Sequence, residues 1–189
     1  MKIIKFIQKT STGKNVAVLF SMNMAFYLAI LFYSIPLVLK SAPDMKLFDV
    51  SPAGYTTEYA ISLLNAIGPE GRNLYQSLQL PLDFIYPGLF IVSYPLLFAW
   101  LLKKNHDLQS KVYYVLYLPI LAGLFDYVEN VLVVLMLKTY PDLDASLVAV
   151  ASFATVTKSI LASIFFTLLI LGILQVVWKS LFNKQAVRS

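Results

Sequence analysis

Residues 111–137 read KVYYVLYLPILAGLFDYVENVLVVLML, and this stretch decides the fold class. It is long enough to cross a bilayer as a helix, which takes about 20 predominantly apolar residues. Yet it carries two carboxylates, Asp126 and Glu129, and an amide, Asn130. At the spacing i, i+3 and i+4 these three project from one face of a helix. The flanking Leu124, Phe125, Val128, Val131 and Leu132 are apolar and suited to lipid or to neighbouring helices. A polar stripe of that kind must turn toward protein, so the segment predicts partners of its own type. Three more long apolar runs occur, at about 16–39, 83–102 and 145–178. The expected architecture is all-α: a four-transmembrane-helix bundle forming a single membrane domain over residues 1–189.

Composition agrees with a bilayer protein. Of the 189 residues, 59% are hydrophobic and only 13% charged, where a soluble domain carries about 25% charged residues. With no cysteine there is no disulfide, thiolate nucleophile or sulfur-ligated metal site. His106 is the only histidine and lies beside Lys103 and Lys104, which excludes a multi-histidine centre, so no metal and no cofactor are expected. The run Val16–Leu39 is longer than the apolar core of a cleaved leader and reads as a retained helix.

Cations set the expected orientation, because loops rich in Lys and Arg stay cytoplasmic. The N-terminus (Lys2, Lys5, Lys9, Lys14), the second loop (Lys103, Lys104, Lys111) and the C-terminus (Lys179, Lys184, Arg188) hold ten cations and one acid, Asp107. The other two loops hold Lys40, Lys46, Arg72 and Lys138 beside Asp44, Asp49, Glu58, Glu70, Asp142 and Asp144. Both termini are therefore expected on the cytoplasmic side of a bacterial inner membrane. The excess of +5 is explained by topology, and nucleic-acid binding is not indicated. Met1 to Lys9 reads either as topogenic charge or as a short helix on an anionic leaflet. Trp178, Lys179, Phe182 and Lys184 read as an interfacial anchor.

The extracytoplasmic loop, residues 40–82, is long for a compact chain and should carry its own structure. Thr56 or Thr57 can cap an amphipathic helix through Glu58, Ile61, Leu64 and Ile67, ending at Gly68-Pro69,. A second short helix, Arg72 through Leu80, is expected to stop at Pro81,. These helices either lie across the outer mouth of the bundle as a lid or rest in the headgroup layer.

Ionisable groups within spans cost about 2.5–3.5 kcal/mol each on insertion scales and raise the question of function. Besides Asp126 and Glu129, the fourth run carries Lys158 in a hydroxyl-rich stretch that includes Ser152, Thr155, Thr157 and Ser159. Given the topology, Lys158 and Glu129 share the outer half of the bilayer, where an ion pair is geometrically reasonable. Asp83 lies at the same level, either as the cap of its helix or as a member of the set, with Tyr86 and Tyr94 on one face. Arg72 and Tyr75 of the loop are positioned to close the set from above. The candidate ligand-binding residues are thus Asp126, Glu129, Asn130, Lys158, Asp83, Tyr86 and Arg72. The competing reading is that they fix helix register and bind nothing.

The motifs Gly54-Tyr55, Gly71-Arg72-Asn73-Leu74-Tyr75, Leu82-Asp83-Phe84-Ile85-Tyr86-Pro87 and Asp126-Tyr127-Val128-Glu129-Asn130 resemble those of a group of small uncharacterised bacterial four-helix integral membrane proteins. The resemblance covers about residues 16–178 and implies fold and topology but no catalytic residues. A looser architectural similarity is to sterol-isomerase and sigma-2-like membrane proteins, in which helices surround a lipophilic pocket with acidic residues. That pattern also uses a membrane histidine, which no run here contains, so none of its residues is carried over.

The resulting expectation is a protein that binds a lipophilic or amphiphilic small molecule, or a membrane lipid, in a polar pocket of the outer leaflet. The rivals are an enzyme using a carboxylate pair for proton transfer on a lipid or isoprenoid, a small transporter, which four helices would support best as a homo-oligomer, and an assembly subunit acting through the external loop.

Overall fold

A computed structural model describes residues 2–104 and 110–186. His106, Asp107 and Arg188 lie outside the described residues, as do the side chains of Phe182 and Lys184. Among the described residues the secondary structure is helical, without strands, and four helices are long and apolar enough to cross a membrane. They are the first span Gly13–Ser41, the second Gly68–Lys104, the third Lys111–Thr139 and the fourth Ala145–Leu181, the arrangement of a multi-pass membrane protein. A separate helix, Lys2–Thr10, precedes them and tucks Ile7 against the core at that end of the bundle.

The loop helix Thr57–Ala66 begins where its cap residue places it. The Thr56 hydroxyl accepts from the Tyr59 amide at 3.2 Å, meeting one of the orphan donors of the first turn. It stops at Gly68, whose φ of +68° takes the left-handed conformation that ends helices at little cost to glycine. Ala60, Leu63 and Leu64 are fully buried on the face it turns inward.

Two expectations need correction here. Pro81 does not stop a short helix, and the helix that carries the second span does not begin near residue 83. A single 37-residue helix runs from Gly68 to Lys104, and Asp83 stands inside it rather than at its cap. The reason is a π-turn at Tyr75–Gln79, closed by the Leu80 amide on the Tyr75 carbonyl. Widening the helix by one residue relieves the clash between the proline ring and the preceding turn, which otherwise breaks a helix. The first span repeats the device with a π-turn at Ile30–Ser34 ahead of Pro36.

The first span packs chiefly on the second, the second on the third and the third on the fourth. Two apolar cores result. One, at the loop end, joins Leu47, Phe48, Leu63, Leu64, Tyr75 and Met136. The other, at the opposite end, is aromatic, with Phe90, Tyr94, Phe98 and Phe165 in mutual edge and tilted contacts. Between them lies a layer of buried polar side chains: Ser34, Gln79, Asp83, Glu129, Asn130 and Thr155. Outward faces such as Leu124, Val128, Phe153, Ile160, Ile164 and Leu174 are exposed, as lipid-facing surfaces should be.

The second and third spans are in close contact at Gly123. A Cβ there would stand 2.5 Å from Ile91 Cγ1 and 3.2 Å from the Pro87 carbonyl oxygen, so glycine permits the contact. Gly123→Ala is expected to lower stability by about 1–3 kcal/mol through overpacking, read as a lower thermal midpoint of the detergent-purified protein. An unchanged midpoint would show that the two helices can part at no cost.

Candidate functional site

The polar layer is built around Lys158. Its ammonium lies 2.8 Å from Asp126 Oδ1 and 2.5 Å from Glu129 Oε2. The third and fourth spans are thereby joined at one level. Thr155, one turn before Lys158, donates its hydroxyl to Glu129 Oε1 at 2.7 Å, so both oxygens of this fully buried carboxylate have a polar neighbour. The Tyr55 amide donates to Ser152 Oγ at 2.9 Å, fastening the loop to the same helix.

Asn130 has another task. Pro87 has no amide hydrogen, so the Asp83 carbonyl four residues earlier lacks its helical donor. Asn130 Nδ2 supplies one at 2.7 Å. Although Asp126, Glu129 and Asn130 share a broad stripe, neighbours on a helix diverge by about 100°. Glu129 therefore meets the fourth span while Asn130 meets the second, and the amide belongs to the helix junction rather than to an open pocket.

A second set of contacts links the two π-turns. The Ser34 hydroxyl donates to Gln79 Oε1, and Gln79 Nε2 donates to Asp83 Oδ2 at 2.7 Å and to Asp49 Oδ2 at 3.4 Å. The Tyr75 hydroxyl points to Asp49 Oδ1 at 3.4 Å. Asp49 comes from a short 3-10 turn, Phe48–Val50, in the loop. The buried pair Leu47 and Phe48 anchors that turn in the loop-end core, which brings the partly buried Asp49 down to the level of Asp83 and Asp126. Burial pushes the Asp49 carboxyl above its ordinary range, and the charge of Lys158 opposes the shift.

Two adjoining cavities open on this layer, of about 180 Å³ and 110 Å³. Asp49, Tyr86, Asp126 and Lys158 line both. The larger runs toward the aromatic core between Phe90, Ala122, Gly123, Ala162 and Phe166. The smaller runs toward the first span, reaching Tyr27, Ile30 and Leu31, and includes Asp83.

Of the residues singled out in the sequence, Asp126, Lys158, Asp83 and Tyr86 therefore share a cavity wall. Glu129 is enclosed behind Lys158. Arg72 stands apart: its Nη1 donates to the Leu64 carbonyl at 2.6 Å and its guanidinium lies 4.5 Å from the Tyr140 ring centroid, where it ties the loop helix to the turn after the third span. Tyr94 belongs to the aromatic core. Asp49, Gln79, Ser34 and Thr155 were not singled out. The one readable signal for Asp49 was the apolar pair Leu47-Phe48 before it, between Lys46 and Asp49 itself.

Among the described residues no group of three or more His, Cys, Asp or Glu side chains is arranged to hold a metal ion. In comparisons with known proteins the chain matches no protein-family profile, no curated protein and no solved structure, so the site is read from its geometry.

Two outcomes follow. Lys158→Met leaves buried carboxylates unpaired and should cost about 3–5 kcal/mol. Adding Asp126→Asn and Glu129→Gln to it should restore most of that loss in thermal melts, and a triple variant no better than the single one would remove Lys158 from its central place. For Asp49 the folded value lies above the unfolded one. The stability it contributes is complete below the ordinary carboxylate value of about 3.9 and is lost as pH rises through the folded value. Asp49→Asn should therefore flatten the decline in thermal midpoint on going from acid toward neutral pH. A slope unchanged from wild type would assign that decline to other groups.

Proposed function

We propose that this multi-pass protein binds a lipophilic or amphiphilic small molecule in the cleft where the two cavities meet. The observation that supports this most directly is the makeup of the cleft. Its polar wall, with Asp49, Asp126 and Lys158, continues without a break into an apolar channel between Phe90, Ala162 and Phe166. Ligand sites are typically mostly apolar with a few convergent polar groups. A cluster serving only to pin helix register has no need of adjoining space. In our reading the chain sits in a bacterial cytoplasmic membrane with both termini on the cytoplasmic side, following its cation distribution,. The cleft then belongs to the outer leaflet, and the loop carrying Asp49 covers it.

The division of labour differs from a simple polar stripe. Asp126, Asp49, Asp83 and Tyr86 meet the ligand, Lys158 both anchors Asp126 and faces the cavities, and Glu129, Asn130 and Thr155 hold the frame. Proton-transfer chemistry by Asp126 and Glu129 is the less favoured reading, because both are committed to Lys158. Conduction through one chain is less favoured as well, since the aromatic layer of Phe90, Tyr94, Phe98 and Phe165 lies beneath the cleft.

Native mass spectrometry with lipid extraction tests the proposal. Wild type should carry a discrete co-purified species. Ala162→Phe, which fills the larger cavity, and Asp126→Asn should each lose it by about tenfold or more while the proteins remain folded, whereas Asn130→Gln should retain it. No bound species in wild type, or equal retention in the filled variant, would leave the polar layer as architecture alone.

A further inference from the structure

The cleft says something about the size and charge of what it takes. Its two cavities, about 180 Å³ and 110 Å³, are small beside the roughly 300–1,000 Å³ of sites for drug-sized ligands. A diacyl lipid has no room. The larger cavity descends along the fourth span from Lys158 to Phe166, eight residues or about 12 Å of helix. There Phe166 meets Phe90 edge-on with ring centroids 6.1 Å apart and Tyr94 at 5.2 Å. Phe90 and Phe166 border the cavity at its far end from Lys158, where a tail entering from the polar layer would meet them.

The charge at the upper end is equally specific. Lys158 is held by two carboxylates. Asp49 and Asp83 are contacted by Gln79 and Tyr75, and among the described residues neither has a cation within ion-pair distance. A head bearing phosphate or carboxylate would meet three acidic side chains, Asp49, Asp83 and Asp126, and a single cation, Lys158, across the smaller cavity; Lys158 is already held by Asp126 and Glu129, and like-charge juxtaposition in a confined site costs several kcal/mol. A head that donates hydrogen bonds and has no negative charge meets acceptors instead.

We infer that the cleft selects a single-chain amphiphile with a hydrogen-bond-donating, non-anionic head, and that Phe90 and Phe166 set the longest tail it accepts. The inference deepens the binding reading given above and rests on it. Because lipid is as apolar as the cavity, each methylene that fits gains nothing relative to the bilayer. Length dependence should therefore be a cut-off rather than a slope.

The test uses the full chain in phosphatidylcholine nanodiscs, loaded with straight-chain alkanols from hexanol to hexadecanol and with the matching alkanoic acids, adducts being counted by native mass spectrometry. Short alkanols should bind equally well when compared at equal content in the disc, and binding should fall about tenfold or more once the tail reaches Phe90 and Phe166. Phe166→Ala should move the cut-off to longer alkanols and Ala162→Val to shorter ones. The acids should bind about tenfold or more below the alkanols at each permitted length, and Asp49→Asn with Asp83→Asn should narrow that gap. The same cut-off in all three proteins, or acids binding as well as alkanols, overturns the inference. If wild type still carries a co-purified lipid in that event, the binding reading survives it. Absence of both lipid and alkanol adducts would remove the two together.

Discussion

The ammonium of Lys158 is the constraint on which the remaining structure depends. A cation carried into the bundle by the fourth span must be met by opposite charge, and Asp126 and Glu129 meet it from the third span at 2.8 and 2.5 Å. Glu129, in turn, holds Thr155. These contacts fix the vertical register of the third and fourth spans, and with it the height of every other polar group. Apolar packing alone would tolerate sliding, because helices in lipid have no strong hydrophobic preference for one register over another.

The layer is also where the backbone departs from regular helix. Pro87 leaves the Asp83 carbonyl for Asn130 to satisfy, and the π-turns ahead of Pro36 and Pro81 face one another through Ser34 and Gln79. Irregular backbone at membrane depth persists only where protein or a cavity surrounds it. Polar side chains, irregular turns and empty space thus occur together for one reason: each requires the others in order to be tolerated away from water. π-turns are frequent at functional sites, and Ile30 and Leu31 of the first of these line the smaller cavity.

The helical stripe of the third span and the isolated Lys158 were legible in the sequence because periodicity and hydropathy act over a few neighbouring residues. The four spans were legible for the same reason. Pro81 misled, since its effect depended on a π-turn that no local pattern announces. Asp49 was hidden among other loop acids, because its descent to the cleft follows from the long-range burial of Leu47 and Phe48. Asn130 was placed on the polar stripe, but its partner, the Asp83 carbonyl, had no sign in the sequence. A difference of one residue, about 100° around the axis, decides whether a side chain meets the second span or the fourth. Gln79 became visible only once Ser34, 45 positions away, was set beside it.

The length of the second helix has a consequence for where all this sits. Thirty-seven residues amount to about 56 Å, nearly twice the roughly 30 Å of a hydrocarbon core. Lys103 and Lys104, with Lys104 over the Trp100 ring, mark one boundary of that core. Asp83, 21 positions before Lys104, lies about 31 Å from it along the helix, about one hydrocarbon thickness. With Lys104 taken as one edge of a hydrocarbon core of about 30 Å, the polar layer falls near the other edge, still enclosed by the bundle, and the loop-end core lies beyond it. Bilayer thickness thereby becomes a variable of the protein: a few Å more would draw the carboxylates into hydrocarbon, and a few Å less would lift the mouth of the cleft clear of the lipid it faces.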